Sequence, residues 1–229
     1  MDLDVPTAIR LSLEVGFAAT LLGLVPAVAC AWLLARVRFR GKALVTALVL
    51  APLVLPPVVT GFGLLTLFGR NGPFGGLFAA LGLPVPFTLF GAVLAALVVG
   101  FPIYVTTIRG ALEAVDPRYE EVALTLGVPP GRTFWRVTLP LAFPGIAAGV
   151  VLAFARGLGE FGATAIIAGN MEGRTRTIAL GVYALLDGPG ADVRVAQLAG
   201  ASVALSVAAL VGFEALNRWQ RRRLELDGR

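Results

Sequence analysis

The chain has 229 residues, of which 57% are hydrophobic and 14% charged, with a mean hydropathy of +0.85. That is too apolar for a soluble domain and points to membrane insertion. The net charge of +5 and pI of about 10.3 would suggest nucleic acid in a soluble protein. Here the basic residues cluster at the ends of apolar runs, which is the positive-inside pattern and argues against a nucleic-acid partner. The chain has no histidine, and Cys30 is its single cysteine. Histidine acid/base chemistry, imidazole metal ligation, histidine pH switching, an intrachain disulfide and a cysteine metal cluster are therefore all excluded.

Five apolar runs are long enough to cross a bilayer core, which needs about 20 apolar residues. They cover residues 9–35, 43–69, 88–108, 141–163 and 195–213. The acidic start, Met1 to Asp4, lacks the basic region of a cleaved signal peptide, so the first run is expected to be a retained helix. The connection after it carries Arg36, Arg38, Arg40 and Lys42 with no acid, which assigns it to the cytoplasm. Alternation then puts the N-terminus and residues 70–87 outside, 116–140 inside, 170–194 outside and the C-terminus inside. The basic tail at Arg218, Arg221, Arg222 and Arg223 agrees, and the 170–194 loop is balanced, with Glu172, Asp187 and Asp192 against Arg174, Arg176 and Arg194. Residues 177–186 are apolar but too short to span, so they form an interfacial or re-entrant helix or belong to a sixth, tilted segment. The expected fold is an all-α integral membrane protein of about five transmembrane helices, six if that segment crosses.

The second run is interrupted by Pro52, Pro56 and Pro57, followed by Thr60, Gly61 and Gly63. Each proline removes a backbone donor and crowds the preceding turn. In lipid the freed carbonyls must find partners in protein or in a wet cavity. Such a break either lines a translocation path or simply kinks the helix for packing. The fourth run holds Arg156 and Glu160, four apart and so on one helix face. Unpaired, each would cost about 2.5–3.5 kcal/mol at a helix centre. The pair is either a functional intramembrane site or a structural pair that fixes packing. Phe161, Gly162, Ala163 and Thr164 then bring a small-residue break. Gly145 and Gly149 form a GxxxG, which in a sequence this rich in glycine assigns no dimer face.

Residues 116–140 form the one polar segment with clear internal grammar. Asp116 can cap a helix, Pro117 suits its first position, and residues 119–126 continue it. Gly127 fits a left-handed C-terminal position. Pro129, Pro130 and Gly131 make a turn, and 132–139 can form a second short helix. The result is a compact knob at the membrane surface. A P-loop needs a lysine followed by Ser or Thr; the only lysine, Lys42, is followed by Ala43. ATP is therefore not bound by that mechanism here, and an ATPase, if one drives the protein, is a separate chain.

The knob resembles the EAA loop of importer-type ABC transporter permeases: Glu121, Val122, Ala123, Gly127, Val137, Leu139 and Pro140 fit that signature, with Val122 where alanine is usual. Residues 55–61 and 155–164, the latter followed by Gly169 and Asn170, are similar to the molybdate/tungstate branch of these permeases, with sulfate permeases close behind. The resemblance implies one type I importer membrane domain over 1–229, core about 9–217, with its coupling loop at 111–140. It places the ATPase-coupling interface at Glu120, Glu121, Ala123, Leu126, Gly127, Phe134, Arg136, Leu139 and Pro140. It places the pathway and gate at Pro56, Pro57, Thr60, Gly61, Arg156, Glu160, Phe161, Gly162, Thr164 and Asn170. The implied partners are a second copy of the chain, two ATP-binding cassette subunits that carry the ATP, and an external oxyanion-binding protein at a bacterial or archaeal plasma membrane. No cofactor, catalytic residue or metal is implied in the chain itself. Two other readings stand beside this one. A sulfate or thiosulfate permease would pair two different membrane subunits. An ion-driven secondary transporter would need no ATPase and no EAA-like loop. A membrane enzyme has no histidine, no cysteine cluster and no paired acids in the spans to work with.

Overall fold

In the computed structural model, which describes residues 4–186 and 191–227, the first apolar run is one helix, α1 (Val5–Arg36). It starts after Asp4, whose carboxylate accepts a hydrogen bond from the Thr7 hydroxyl, and it carries Pro6 in its first turn, where a missing N–H costs nothing. The second run is not straight. It consists of α2 (Lys42–Val54) and α3 (Pro57–Phe68), bent by 115° relative to one another. Leu55, which precedes a proline, is pushed into extended backbone at φ −69° and ψ 142°. Pro56 follows at ψ 133°, and its carbonyl then receives the N–H groups of Val59 and Thr60 to start α3. The proline break seen in the sequence is therefore a sharp corner rather than a shallow kink.

A short helix, α4 (Gly75–Ala80), leads to α5 (Leu89–Ala114), whose N-cap Thr88 accepts from the Gly91 N–H at 3.2 Å. Helix α6 (Pro117–Thr125) and a single turn, α7 (Pro130–Thr133), follow. A π-helical turn at Phe134–Thr138 feeds into α8 (Leu139–Leu158). After a break come α9 (Gly162–Ile167), α10 (Ile178–Leu185) and α11 (Ala191–Asp227). There is no strand among the described residues. The 177–186 segment is thus a helix of its own, too short to span. Residues 1–3, with Asp2, and positions 187–190, with Asp187, lie outside the described residues.

The core is built by α1, α5 and α8. Helices α1 and α5 run parallel. One apolar layer joins Val15 and Ala19 of α1 to the start of α5, from Ala92 to Val99. A second joins Ala27, Ala31 and Leu34 to the end of α5, from Tyr104 to Leu112. Helix α8 packs antiparallel on α5 through the GxxxG. A Cβ on Gly145 would collide with Ala111, and one on Gly149 would lie 2.9 Å from Ile108 Cγ1. Those glycines therefore serve packing within one chain.

The parallel arrangement decides what the bent pair does. α1 and α5 end side by side, so the chain between them must travel back along the 26 residues of α5, about 39 Å. Val45 and Val49 of α2 pack on the second layer and Leu64 of α3 on the first. The α2–α3 pair passes both layers and is one broken span. With α1, α5, the continuous Pro130–Leu158 helix and the Val193–Ala215 part of α11, this makes five candidate spans among the described residues.

A smaller cluster of Ala8, Ile178 and Leu198 ties α1, α10 and α11 together at the end away from the knob. There the buried Ser12 hydroxyl accepts from the Ile178 N–H at 2.8 Å. Ser12→Ala leaves that buried donor unmet and is expected to cost about 1–3 kcal/mol, read as a lower thermal midpoint of the detergent-solubilised protein.

Candidate functional site: a surface knob and a two-break contact

The knob is built by local chemistry. Asp116 Oδ1 accepts from the Arg118 N–H at 2.9 Å, and Pro117 takes the first helical position. Gly127 ends α6 at φ +75°. Its N–H donates to the Leu124 carbonyl at 2.9 Å, and the Val128 N–H donates to the Ala123 carbonyl at 3.0 Å, a Schellman closure. The second half of the knob differs from the expectation of a separate short helix at 132–139. The helix starts at Pro130 and runs on into α8. Pro140 supplies no N–H, and the Leu139 N–H reaches back five residues to the Phe134 carbonyl, giving the π turn. The second half of the knob is therefore rigidly continuous with a span.

Its residues divide by direction. Ala123 is buried, and Phe134 and Leu139 pack against the second core layer. Glu120 points inward, 3.1 Å from Arg36 Nη2 and accepting from the Thr138 hydroxyl at 2.8 Å. Glu121, Gly127, Arg136 and Pro140 are exposed. So are Tyr119, Val122, Leu126 and Trp135, the last two at 76% and 68%. A polar helix pair that leaves this much apolar side chain in the open has the character of a docking surface. An apolar groove of about 740 Å³ lies beside it, lined by Trp32, Phe134, Trp135 and Phe143 among others.

The second site joins the two broken segments. Helices α3 and α9 each begin at a break, and they touch backbone to backbone. A Cβ on Gly61 would lie 2.7 Å from both the Cα and the carbonyl oxygen of Ala163, and one on Gly162 would lie 2.9 Å from Pro57 Cβ. The hydroxyl oxygens of Thr60 and Thr164 are buried there without a hydrogen bond. Pro56 and Pro57 are exposed and Phe161 half-buried, its ring 5.0 Å from that of Tyr183.

The ionic pair forms as the spacing suggested, but not within one helix. α8 ends at Leu158, and Glu160 lies in the break. Its Oε2 is 2.8 Å from Arg156 Nη1, while its Oε1 accepts from the Ala163 N–H at 2.9 Å. Glu160 is 2% exposed and Arg156 28%. The carboxylate thus holds α8 to α9. Arg156→Ala strands a buried carboxylate and is expected to destabilise by about 3–5 kcal/mol. Glu160→Gln keeps the acceptor for Ala163, leaves the wetter guanidinium its access to water, and should cost clearly less. Thermal unfolding of the two variants side by side checks the order.

Asn170 is tied into a loop network: its Oδ1 accepts from Arg176 Nε at 2.8 Å and its Nδ2 donates to the Leu180 carbonyl at 3.4 Å. Arg176 is buried and also pairs with Glu172 at 3.4 Å. Sequence reasoning overlooked Arg176, counted only as loop charge, and Arg36, counted only in the basic run. It also overlooked Thr138. The one available signal was that Arg36 ends an apolar run on the side assigned to the distant segment that carries Glu113, Asp116, Glu120 and Glu121.

A family model described as "Binding-protein-dependent transport system inner membrane component" matches residues 20–225. The chain is 45% identical to the molybdenum transport system permease protein ModB of Haemophilus influenzae, over 96% of this chain and 94% of that one. It is 47% identical to the protein of the same name from Escherichia coli K12, over 94% and 95%. Among solved structures, a bacterial alginate ABC transporter in complex with a periplasmic protein aligns at a TM-score of 0.69 and 20% identity, covering 94% of this chain and 78% of that chain. With the broken span and the exposed knob, these similarities place the fold and the sequence together: the chain belongs to the family of binding-protein-dependent transport system inner membrane components.

Proposed function

We infer that the chain is the permease subunit of an ATP-driven importer for molybdate or tungstate. The observation that carries this reading is the pairing of two features at different places on one bundle. An exposed, rigidly framed knob stands at one end, and the α3–α9 contact is built on glycines at two breaks. The relatives named for molybdenum transport supply the substrate class.

In this reading two copies enclose a path along their two-fold axis, since one chain of about five spans is too small to surround a path alone. The whole chain acts as one membrane domain with its core at about 9–217. Each knob seats in one of two ATPase subunits, which carry the ATP, and a binding protein delivers the oxyanion to the opposite face. The N-terminus lies outside and the C-terminus in the cytoplasm, with the Arg36 to Lys42 connection on the same side as the knob. ATP shifts the pair between inward- and outward-open states by binding them differentially.

Pro56, Pro57, Thr60, Gly61, Phe161, Gly162 and Thr164 form the gate, and the unmet hydroxyls of Thr60 and Thr164 offer donors to a passing dianion without trapping it. Glu160, which would repel an anion, is held by Arg156 and braces the gate. Asn170 shapes the loop that follows.

The experiment is ATP hydrolysis by the reconstituted transporter with molybdate-, tungstate- or sulfate-loaded binding protein. Stimulation by molybdate or tungstate is expected. Stimulation by sulfate alone would move the chain to a sulfate permease.

A further inference from the structure

The ends of three core helices meet the knob at a single carboxylate. Glu120 Oε1 accepts a hydrogen bond from Thr138 Oγ1 at 2.8 Å and lies 3.1 Å from Arg36 Nη2. The same guanidinium nitrogen donates to the Val115 carbonyl at 3.0 Å. Arg36 is the last residue of α1, Val115 follows the last residue of α5, and Thr138 closes the π turn that opens α8. Thr138 is 1% exposed, and the two charged side chains are 17% and 28% exposed, so the pair is only partly screened by solvent.

The Arg36–Glu120 pair ties α6 to the end of α1. The Arg10–Glu14, Arg109–Glu113 and Arg218–Glu214 pairs lie within single helices, Arg156–Glu160 spans the break after α8, and Arg176–Glu172 lies in the 170–176 loop. The chain itself connects α6 to its neighbours through extended Val115 on one side and the Gly127–Pro129 turn on the other. Both are positions that can absorb a change of dihedral angle. A push on α6 would be lost in those hinges unless a side-chain link carried it onward. Arg36 Nε is buried without a hydrogen bond in this arrangement, an unmet donor that a shifted arrangement can satisfy.

We propose that Arg36, Glu120 and Thr138 form the joint that passes displacement of α6 to α1 and α8. These are positioning residues: they touch neither oxyanion nor ATP. The proposal rests on the coupling role of the knob given above, and the two are separable by test. The transporter is reconstituted in liposomes with its ATPase and binding protein, and oxyanion delivered per ATP hydrolysed is measured together with ATPase association.

For Arg36→Ala the delivered ratio is expected to fall about tenfold while the ATPase stays bound. Arg36→Lys, which keeps the charge, should recover part of it. Glu120→Gln should also lower the ratio, and the Arg36→Ala/Glu120→Gln double variant should be no worse than the poorer single, because both remove one link. Thr138→Val, which deletes only the hydroxyl, should lower the ratio about threefold and decides the matter if the arginine variants do not fold. A wild-type ratio in Arg36→Ala or Thr138→Val, or losses that add in the double variant, would overturn the joint. Full ATPase association in Glu121→Arg would instead undermine the coupling reading on which it rests.

Discussion

Gly61→Ala is expected to abolish oxyanion uptake and to lower stability by about 1–3 kcal/mol, the usual cost of forcing an extra group into a packed contact. The added Cβ would lie 2.7 Å from the Cα and carbonyl oxygen of Ala163. Those are backbone atoms, so no rotamer change relieves the clash; α9 itself must move. It is held at its start by Glu160 on the Ala163 N–H and at its end by the Phe87 N–H on the Ile167 carbonyl, at 2.9 and 2.8 Å. Moving it therefore disturbs a connected set of contacts. Gly162→Val should behave alike from the other side, against Pro57. The control is two residues away. A Cβ on Gly63 meets nothing within 4 Å, so Gly63→Ala should be neutral or slightly stabilising, as alanine favours helix. Uptake and thermal midpoint measured across these variants check the prediction.

The second large effect is expected at Gly127. Its φ of +75° costs a non-glycine residue about 1–2 kcal/mol, and its N–H closes α6 on the Leu124 carbonyl. Gly127→Val should loosen the knob. Gly127→Pro, which forbids both the φ and the hydrogen bond, should remove substrate-stimulated ATP hydrolysis altogether. Gly131, with open space around it and no positive φ, is the matched control: Gly131→Ala should couple normally. ATPase association and stimulated hydrolysis read out the difference.

What could be read from the sequence follows the range of the forces involved. The cap at Asp116, the first-turn Pro117 and the left-handed Gly127 are local, and the structure places each as its chemistry requires. The Arg156–Glu160 pair is also local and forms, although Glu160 has left the helix. The corner between α2 and α3 was legible only as an interruption. Prolines say that the hydrogen-bond ladder stops, while the direction taken afterwards depends on Gly61 meeting Ala163 in a distant part of the chain. The second knob helix was misjudged for a related reason. Pro129 and Pro130 read as a turn, yet a proline at a first helical position is equally compatible with a helix that runs on for 29 residues. The inward turn of Glu120 depends on α1 and α5 ending side by side, a tertiary fact that periodicity does not carry. The same is true of the Arg176 network, where a residue that looked like loop charge is buried.

The central claim is that the knob delivers ATP-driven motion to a gate at α3 and α9. It is tested most directly by oxyanion uptake into liposomes that hold this chain, with and without the ATPase subunit, in wild type and in Glu121→Arg. The account predicts uptake only when the ATPase, ATP and loaded binding protein are all present, and none in Glu121→Arg. Uptake driven by an ion gradient without the ATPase, or undiminished in Glu121→Arg, would contradict it.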